Sequence, residues 1–181
     1  MQPIVHPVVG YLCYSGYIRL KHGRQPRGEP TLVAVFAAVL PDLIDQPLWL
    51  VGITSVGRTA AHSLFGTIAI VGVVVFIARR RGRLDFGVAF AIGYVSHIAA
   101  DIPWHVLAGD FDELGFLFWP VTDMPAYSGV KVLGTVGGVE LTTLWLEALI
   151  FAFGVAVWWY DGQPGINVLA RYVGKDSTAE R

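Results

Sequence analysis

FGVAFAIGYVSHIAADIP, residues 86–103, is an apolar run that carries two ionisable side chains, His97 and Asp101, towards its end. Its eighteen residues make about 27 Å of helix at about 1.5 Å per residue, close to the roughly 30 Å of a bilayer's hydrocarbon core. The rest of the chain has the same character. It is 181 residues long, 54% hydrophobic and 15% charged, with a mean hydropathy of +0.56, whereas soluble domains carry about 25% charged residues. This composition points to one membrane domain and excludes a disordered chain. Cys13 is the single cysteine, which excludes a disulfide scaffold. A net charge of −1 and a pI near 6.5 argue against nucleic-acid binding by bulk charge.

Working outward from this stretch, the hydropathy pattern predicts an all-α, multi-pass transmembrane helical bundle. It has about five segments, near 7–18, 31–53, 59–78, 86–103 and 139–160. The first is short, is broken by Gly10, Ser15 and Gly16, and is open to being a half-span. In the third, Leu64 to Ala78 alone covers about 22 Å, so the helix is extended back to Thr59, which draws His62 into the membrane. The fifth ends on Trp158, Trp159 and Tyr160, as expected at a membrane interface. No cation precedes Arg19, so the first stretch is read as retained, not as a signal peptide. Residues 1–160 are expected to form a single integral-membrane domain, with 104–138 as an extracytoplasmic loop. That loop is rich in aromatics and reads either as an interfacial lid or as a plain connection. Residues 161–181 read as a polar, mobile cytoplasmic tail.

Loop charge sets the expected orientation, since Lys and Arg in short loops stay on the cytoplasmic side. Arg19, Lys21, Arg24 and Arg27 follow the first segment, Arg79, Arg80, Arg81 and Arg83 follow the third, and Arg171, Lys175 and Arg181 lie in the tail. These are eleven of the thirteen cations. The protein is therefore expected in the inner, or plasma, membrane with its N-terminus outside and its C-terminus in the cytoplasm.

An ionisable group in hydrocarbon is costly unless paired or hydrated. Counted along the helices, His6, Asp42, Asp45, His62, His97, Asp101 and Glu147 all fall about 16 to 24 Å from the cytoplasmic ends of their segments. That is one layer, in the outer half of the bilayer. His97 and Asp101, spaced i, i+4, share a helix face and can bind one metal or pair with each other. Asp42 follows Pro41 and can equally cap a helical turn, which leaves Asp45 unexplained. Arg58 can snorkel to headgroups, His6 can be an exposed terminus, and Glu147 can hydrogen-bond a neighbouring helix. Taken together, Asp42, Asp45, Asp101 and Glu147 bring up to four negative charges, with Arg58 the obvious positive one. One or two divalent cations would relieve that repulsion, and imidazole with carboxylate suits Zn, Mn or Fe. The set matches metal-assisted hydrolysis by a metal-activated water, with Arg58 holding an anionic substrate. Two other classes share the pattern: an ion or proton transporter, and a scaffold with a structural metal.

The order His6, Leu40-Pro41-Asp42-Leu43-Ile44-Asp45, Arg58 to His62-Ser63, Gly93-Tyr94-Val95-Ser96-His97 to Asp101, and Phe118-Trp119-Pro120 resembles the inner-membrane-associated metal-dependent hydrolases. That family includes a LexA-binding member, a property not carried over to this chain. The resemblance covers about residues 1–125. The family is in turn distantly similar to zinc-dependent phospholipase C and P1-type nucleases, all-helical enzymes. Carried over residue by residue, it implies His6, Asp42, His62, His97 and Asp101 as metal ligands, with Asp45 and Arg58 in catalytic roles. It also implies a phosphoester or lipid-like substrate taken from the membrane. The chain departs from the family at Gln46, where a histidine is common. His105, i, i+4 from Asp101 beyond Pro103, and Glu147 are further candidates. No GxSxG, HExxH or phosphate-binding loop is present.

Overall fold

The computed structural model describes the backbone of residues 2–109, 111–122, 124 and 141–176. It also describes the side chains of these residues, except those of 104, 105, 107, 108, 141–143 and 172–176. The described residues form helices and turns. These are α1 (His6–His22), α2 (Glu29–Ala37), α3 (Leu40–Leu50), α4 (Leu64–Arg80), α5 (Leu84–Ala108), a 3-10 helix (Phe111–Phe118), α6 (Leu141–Tyr160) and α7 (Ile166–Asp176).

Local sequence explains most of the boundaries. Pro7 sits in the first turn of α1, where its missing N–H costs nothing, and Gly23 ends the helix at φ 61°, its N–H bonded to the Arg19 carbonyl. Ser63 caps α4 by accepting from the Gly66 N–H at 3.0 Å. Helix α4 therefore starts at Leu64, not at Thr59, and His62 lies in the turn before it, a correction to the extended third segment. The second segment is likewise two helices, with a break at Ala38 and Val39 ahead of Pro41. Helix α5 runs through Pro103 to Ala108, so the proline does not end it.

Helix α5 is the centre of the assembly, with α1, α2 and α4 packed along it. Close approach depends on absent side chains. A Cβ on Gly93 would lie 2.1 Å from the Ala34 carbonyl oxygen, and one on Gly10 would lie 2.4 Å from the Ala38 Cβ. The core is small: Ala37, Phe90, Tyr94, Ile98 and Phe116 form one cluster, and Tyr14, Ile18, Ala34 and Ala89 the other. Large apolar side chains instead face outward, Ile68, Val73 and Phe76 on α4 and Leu149, Phe153 and Trp159 on α6 among them. An outward apolar face is what hydrocarbon surroundings favour.

Two stretches are long and apolar enough to cross a membrane, Glu29–Leu50 and Leu84–Pro103, while Leu144–Tyr160 is apolar but shorter. The expectation of five full spans is not supported, because α1 and α4 hold 17 residues each, about 26 Å of helix. The expected polar tail also differs. Asp161 is buried, and Ile166–Asp176 is a helix that turns Val168 inward. In the 104–138 connection, α5 and the 3-10 helix replace part of the expected loop, and residues 125–138 lie outside the described set.

Candidate metal centre

The site begins with Asp45 on α3, whose side chain is completely buried. Its carboxylate accepts the backbone N–H groups of Thr59 at 2.8 Å, Ala61 at 3.1 Å and His62 at 3.2 Å, which folds residues 59–62 around it. The Tyr94 hydroxyl fixes the same turn from α5 by donating to the Ala61 carbonyl at 2.7 Å. Held in this way, the His62 ring places Nδ1 2.8 Å from Asp45 Oδ2. Its other nitrogen, Nε2, faces Asp42 Oδ1 at 3.4 Å and His97 Nε2 at 3.1 Å. Burial opposes charge on His62, and hydrogen bonds from its ring to the Asp42 and Asp45 carboxylates outweigh it and raise the pKa.

His97 is oriented by the same device. The break between α2 and α3 leaves the Ala38 carbonyl open, and His97 Nδ1 lies 2.8 Å from it. A proton on Nδ1 then frees Nε2, which lies 3.9 Å from both Asp42 Oδ1 and Asp101 Oδ2. His62 Nε2 is 4.0 Å from Asp101 Oδ2. Four donors from α3, the 59–62 turn and two turns of α5 therefore converge. A cation about 2.0–2.1 Å from each of its ligands in a tetrahedron holds them about 3.3 Å apart, and the five separations that involve the two imidazole nitrogens run from 3.1 to 4.0 Å. Histidine ligands whose second nitrogen is held by a carboxylate or carbonyl are typical of metal sites.

His6 closes the cluster from α1. It is 2% exposed, which rules out a free terminus, and its ring stacks on that of His97 at 3.9 Å. His6 Nε2 is 3.0 Å from Asp101 Oδ1. His6 Nδ1 and Asp42 Oδ2, 4.0 Å apart, are both buried without a hydrogen-bond partner. Asp42 therefore does not serve as a helix cap. Orphaned atoms of this kind are rare in folded proteins, and an imidazole nitrogen facing a carboxylate oxygen is the donor pair that a divalent cation satisfies. The residues present fit such an ion, with two groups close enough to hold one: His6, Asp42 and His97, and His62, His97 and Asp101. All donors are nitrogen or oxygen, and Cys13 is exposed, so Zn, Mn or Fe suits the set better than a thiolate-bound metal.

The other candidates take different places. Asp45 stands behind His62 as its positioning partner. Arg58 donates from Nε to Asp101 Oδ2 at 2.9 Å and lies over the Phe116 ring. Glu147 is buried and accepts the Gln2 N–H at 3.1 Å. His105 lies on α5, and its side chain is outside the described residues. Tyr94, Phe116 and the Ala38 carbonyl support the site without being among its expected ligands or catalytic residues. Tyr94 lies one helical turn before His97, and its complete burial beside a polar motif is the signal that points to it.

The chain belongs to the YdjM inner membrane protein family, whose sequence model matches residues 1–169. No curated protein and no solved structure matches it.

Proposed function

We propose that this member of the YdjM inner membrane protein family is a membrane-bound, metal-dependent hydrolase acting on a phosphoester or lipid-linked substrate. The observation that carries the reading is the convergence of His62 Nε2, His97 Nε2, Asp42 and Asp101, with each imidazole's second nitrogen already engaged. His62, His97, Asp42 and Asp101 would hold the cation, and His6 stands ready to join through its unpartnered Nδ1. A bound divalent cation supplies a Lewis acid and a water of lowered pKa.

The chain's own residues account for the remaining requirements. Asp45 and the Ala38 carbonyl fix the tautomers that aim both Nε2 atoms inward. Arg58 holds Asp101 and brings a guanidinium to the same place, where anionic oxygens of a phosphoester are favoured. Buried carboxylates with so little countercharge make the pocket a poor one for an anion unless a cation is bound. Substrate binding therefore follows metal binding.

In this reading α1, α4 and α6 lie in the bilayer beside the two long stretches, with the N-terminus and the site towards the extracytoplasmic side and the C-terminus in the cytoplasm. The distribution of cations supports that orientation. The test is metal content by mass spectrometry of the purified protein, wild type against the His97→Ala, Asp101→Ala double variant. Hydrolysis of a chromogenic phosphodiester and of a short-chain phospholipid is measured alongside. Stoichiometric metal and turnover, both lost in the double variant, are expected. Metal without turnover turns the centre into a structural one, and no metal after resupply of Zn and Mn moves the reading to transport.

A further inference from the structure

A slot of about 290 Å³ lies between α1, α2, α6 and the start of α7. It begins at Pro7, the neighbour of His6, and its walls include Val8, Leu32, Val35, Val155 and Leu169. The polar groups in the walls are almost all committed. The Tyr11 hydroxyl donates to Asp161, and the Trp158 Nε1–H donates to the Pro164 carbonyl at 3.2 Å. Thr31 is the exception, with a buried hydroxyl that has no partner.

Such a space holds water poorly, because a held water needs two to four polar partners and the walls here are almost wholly apolar. An empty slot forfeits the contacts of every side chain that lines it. The family is an inner-membrane one, and on the proposed reading that places α1 and α6 in the bilayer, the slot's mouth meets hydrocarbon. We infer that the slot seats a single acyl chain of a membrane lipid, held by its apolar walls. The driving force is packing, since the transfer is from hydrocarbon to hydrocarbon. The site is separate from the metal centre and stands whether or not that centre turns over substrate.

The test is photolabelling of the full chain in lipid nanodiscs of phosphatidylcholine bearing an acyl-chain diazirine, with adducts mapped by peptide mass spectrometry. Leu32, Val35 and Leu169 are expected to carry several-fold more adduct than Val73 and Phe76, which face outward on α4 and report bulk lipid. Val35→Trp, which fills the slot, is expected to abolish the excess and to leave the α4 adducts unchanged. Leu169→Trp fills it from the exposed side and takes over should Val35→Trp fail to fold. Slot labelling no higher than α4 labelling overturns the inference, as does an excess that persists in the filled variant. Crosslinks between two copies of the chain at the slot overturn it in favour of a protein occupant.

Discussion

Helix α1 meets a buried polar cluster at each end, and the two are built on opposite terms. Towards its C-terminus, Asp161 accepts from the Tyr11 hydroxyl, from Ser15 Oγ at 2.7 Å and from the Arg19 guanidinium. One carboxylate meets one cation and two hydroxyls, and nothing is left over. At its N-terminal end, His6 meets Asp42, Asp101 and His97. There, the Arg58 guanidinium pairs with Asp101, while His6 Nδ1 and Asp42 Oδ2 are buried without hydrogen-bond partners. A closed cluster fastens helices together, whereas an open one is fit to receive a ligand. The contrast gives α1 two jobs: its lower end ties the bundle and its upper end completes a site.

Removing two ligands tests the contrast hardest. In the His97→Ala, Asp101→Ala variant, bound metal is expected to fall from stoichiometric to background when measured by mass spectrometry. If that variant keeps its metal, the upper cluster is as closed as the lower one. Asp161→Ala is expected to act the opposite way. It leaves the buried Tyr11 and Ser15 hydroxyls without an acceptor, at about 1–3 kcal/mol each, and the partly exposed Arg19 without its partner, read as a lower midpoint in detergent melts, with metal stoichiometry unchanged in the folded fraction. Loss of metal from folded Asp161→Ala protein would erase the distinction between the two ends.

How far the sequence disclosed these clusters follows from the same contrast. His97 and Asp101 stand at helical spacing within an apolar run, as do Asp42 and Asp45 in their shorter way, so the cost of burying them is visible in the sequence, while the particular set of metal ligands is what the family resemblance implies. The all-helical class followed from hydropathy. His62 was placed in a helix because Thr59 to Ala78 holds no charge except its own, and the cap at Ser63 leaves no mark on hydropathy. The turn that seats His62 exists only because Asp45 gathers three N–H groups from it, a tertiary effect that no local pattern records. Asp161 was read as the first residue of a mobile tail since it follows the last apolar residue. Its signal lay on another helix, where Tyr11, Ser15 and Arg19 at i, i+4 and i+8 form one polar stripe on α1.

Asp45→Asn sharpens the comparison within the upper cluster. An amide keeps the shape, but it places an NH₂ among three N–H donors and the His62 Nδ1, so one contact turns from attractive to repulsive. Loss of such a supporting partner costs about 10–100-fold in metal affinity. Competition with a chelator reads this directly, and Asp45→Glu tests whether a longer carboxylate restores part of it. If affinity is unchanged in Asp45→Asn, the turn is held by other contacts, and His62 needs no carboxylate behind it.

The smallest effect is expected at Tyr11→Phe. Only the hydroxyl is lost, and Asp161 keeps Ser15 and Arg19, so the cost is about 1.5 kcal/mol, the low end for a hydrogen bond to a charged group. Metal content should not change, as Tyr11 lies more than a turn of α1 below His6 and touches none of the donors. A closed cluster tolerates the loss of one member because the others still satisfy the charge. The open cluster has no such reserve, and a melt combined with a metal assay on Tyr11→Phe and Asp45→Asn separates the two cases. Equal loss of stability with no metal phenotype in both variants would make the upper cluster a second fastening, with its two orphaned atoms left without a role.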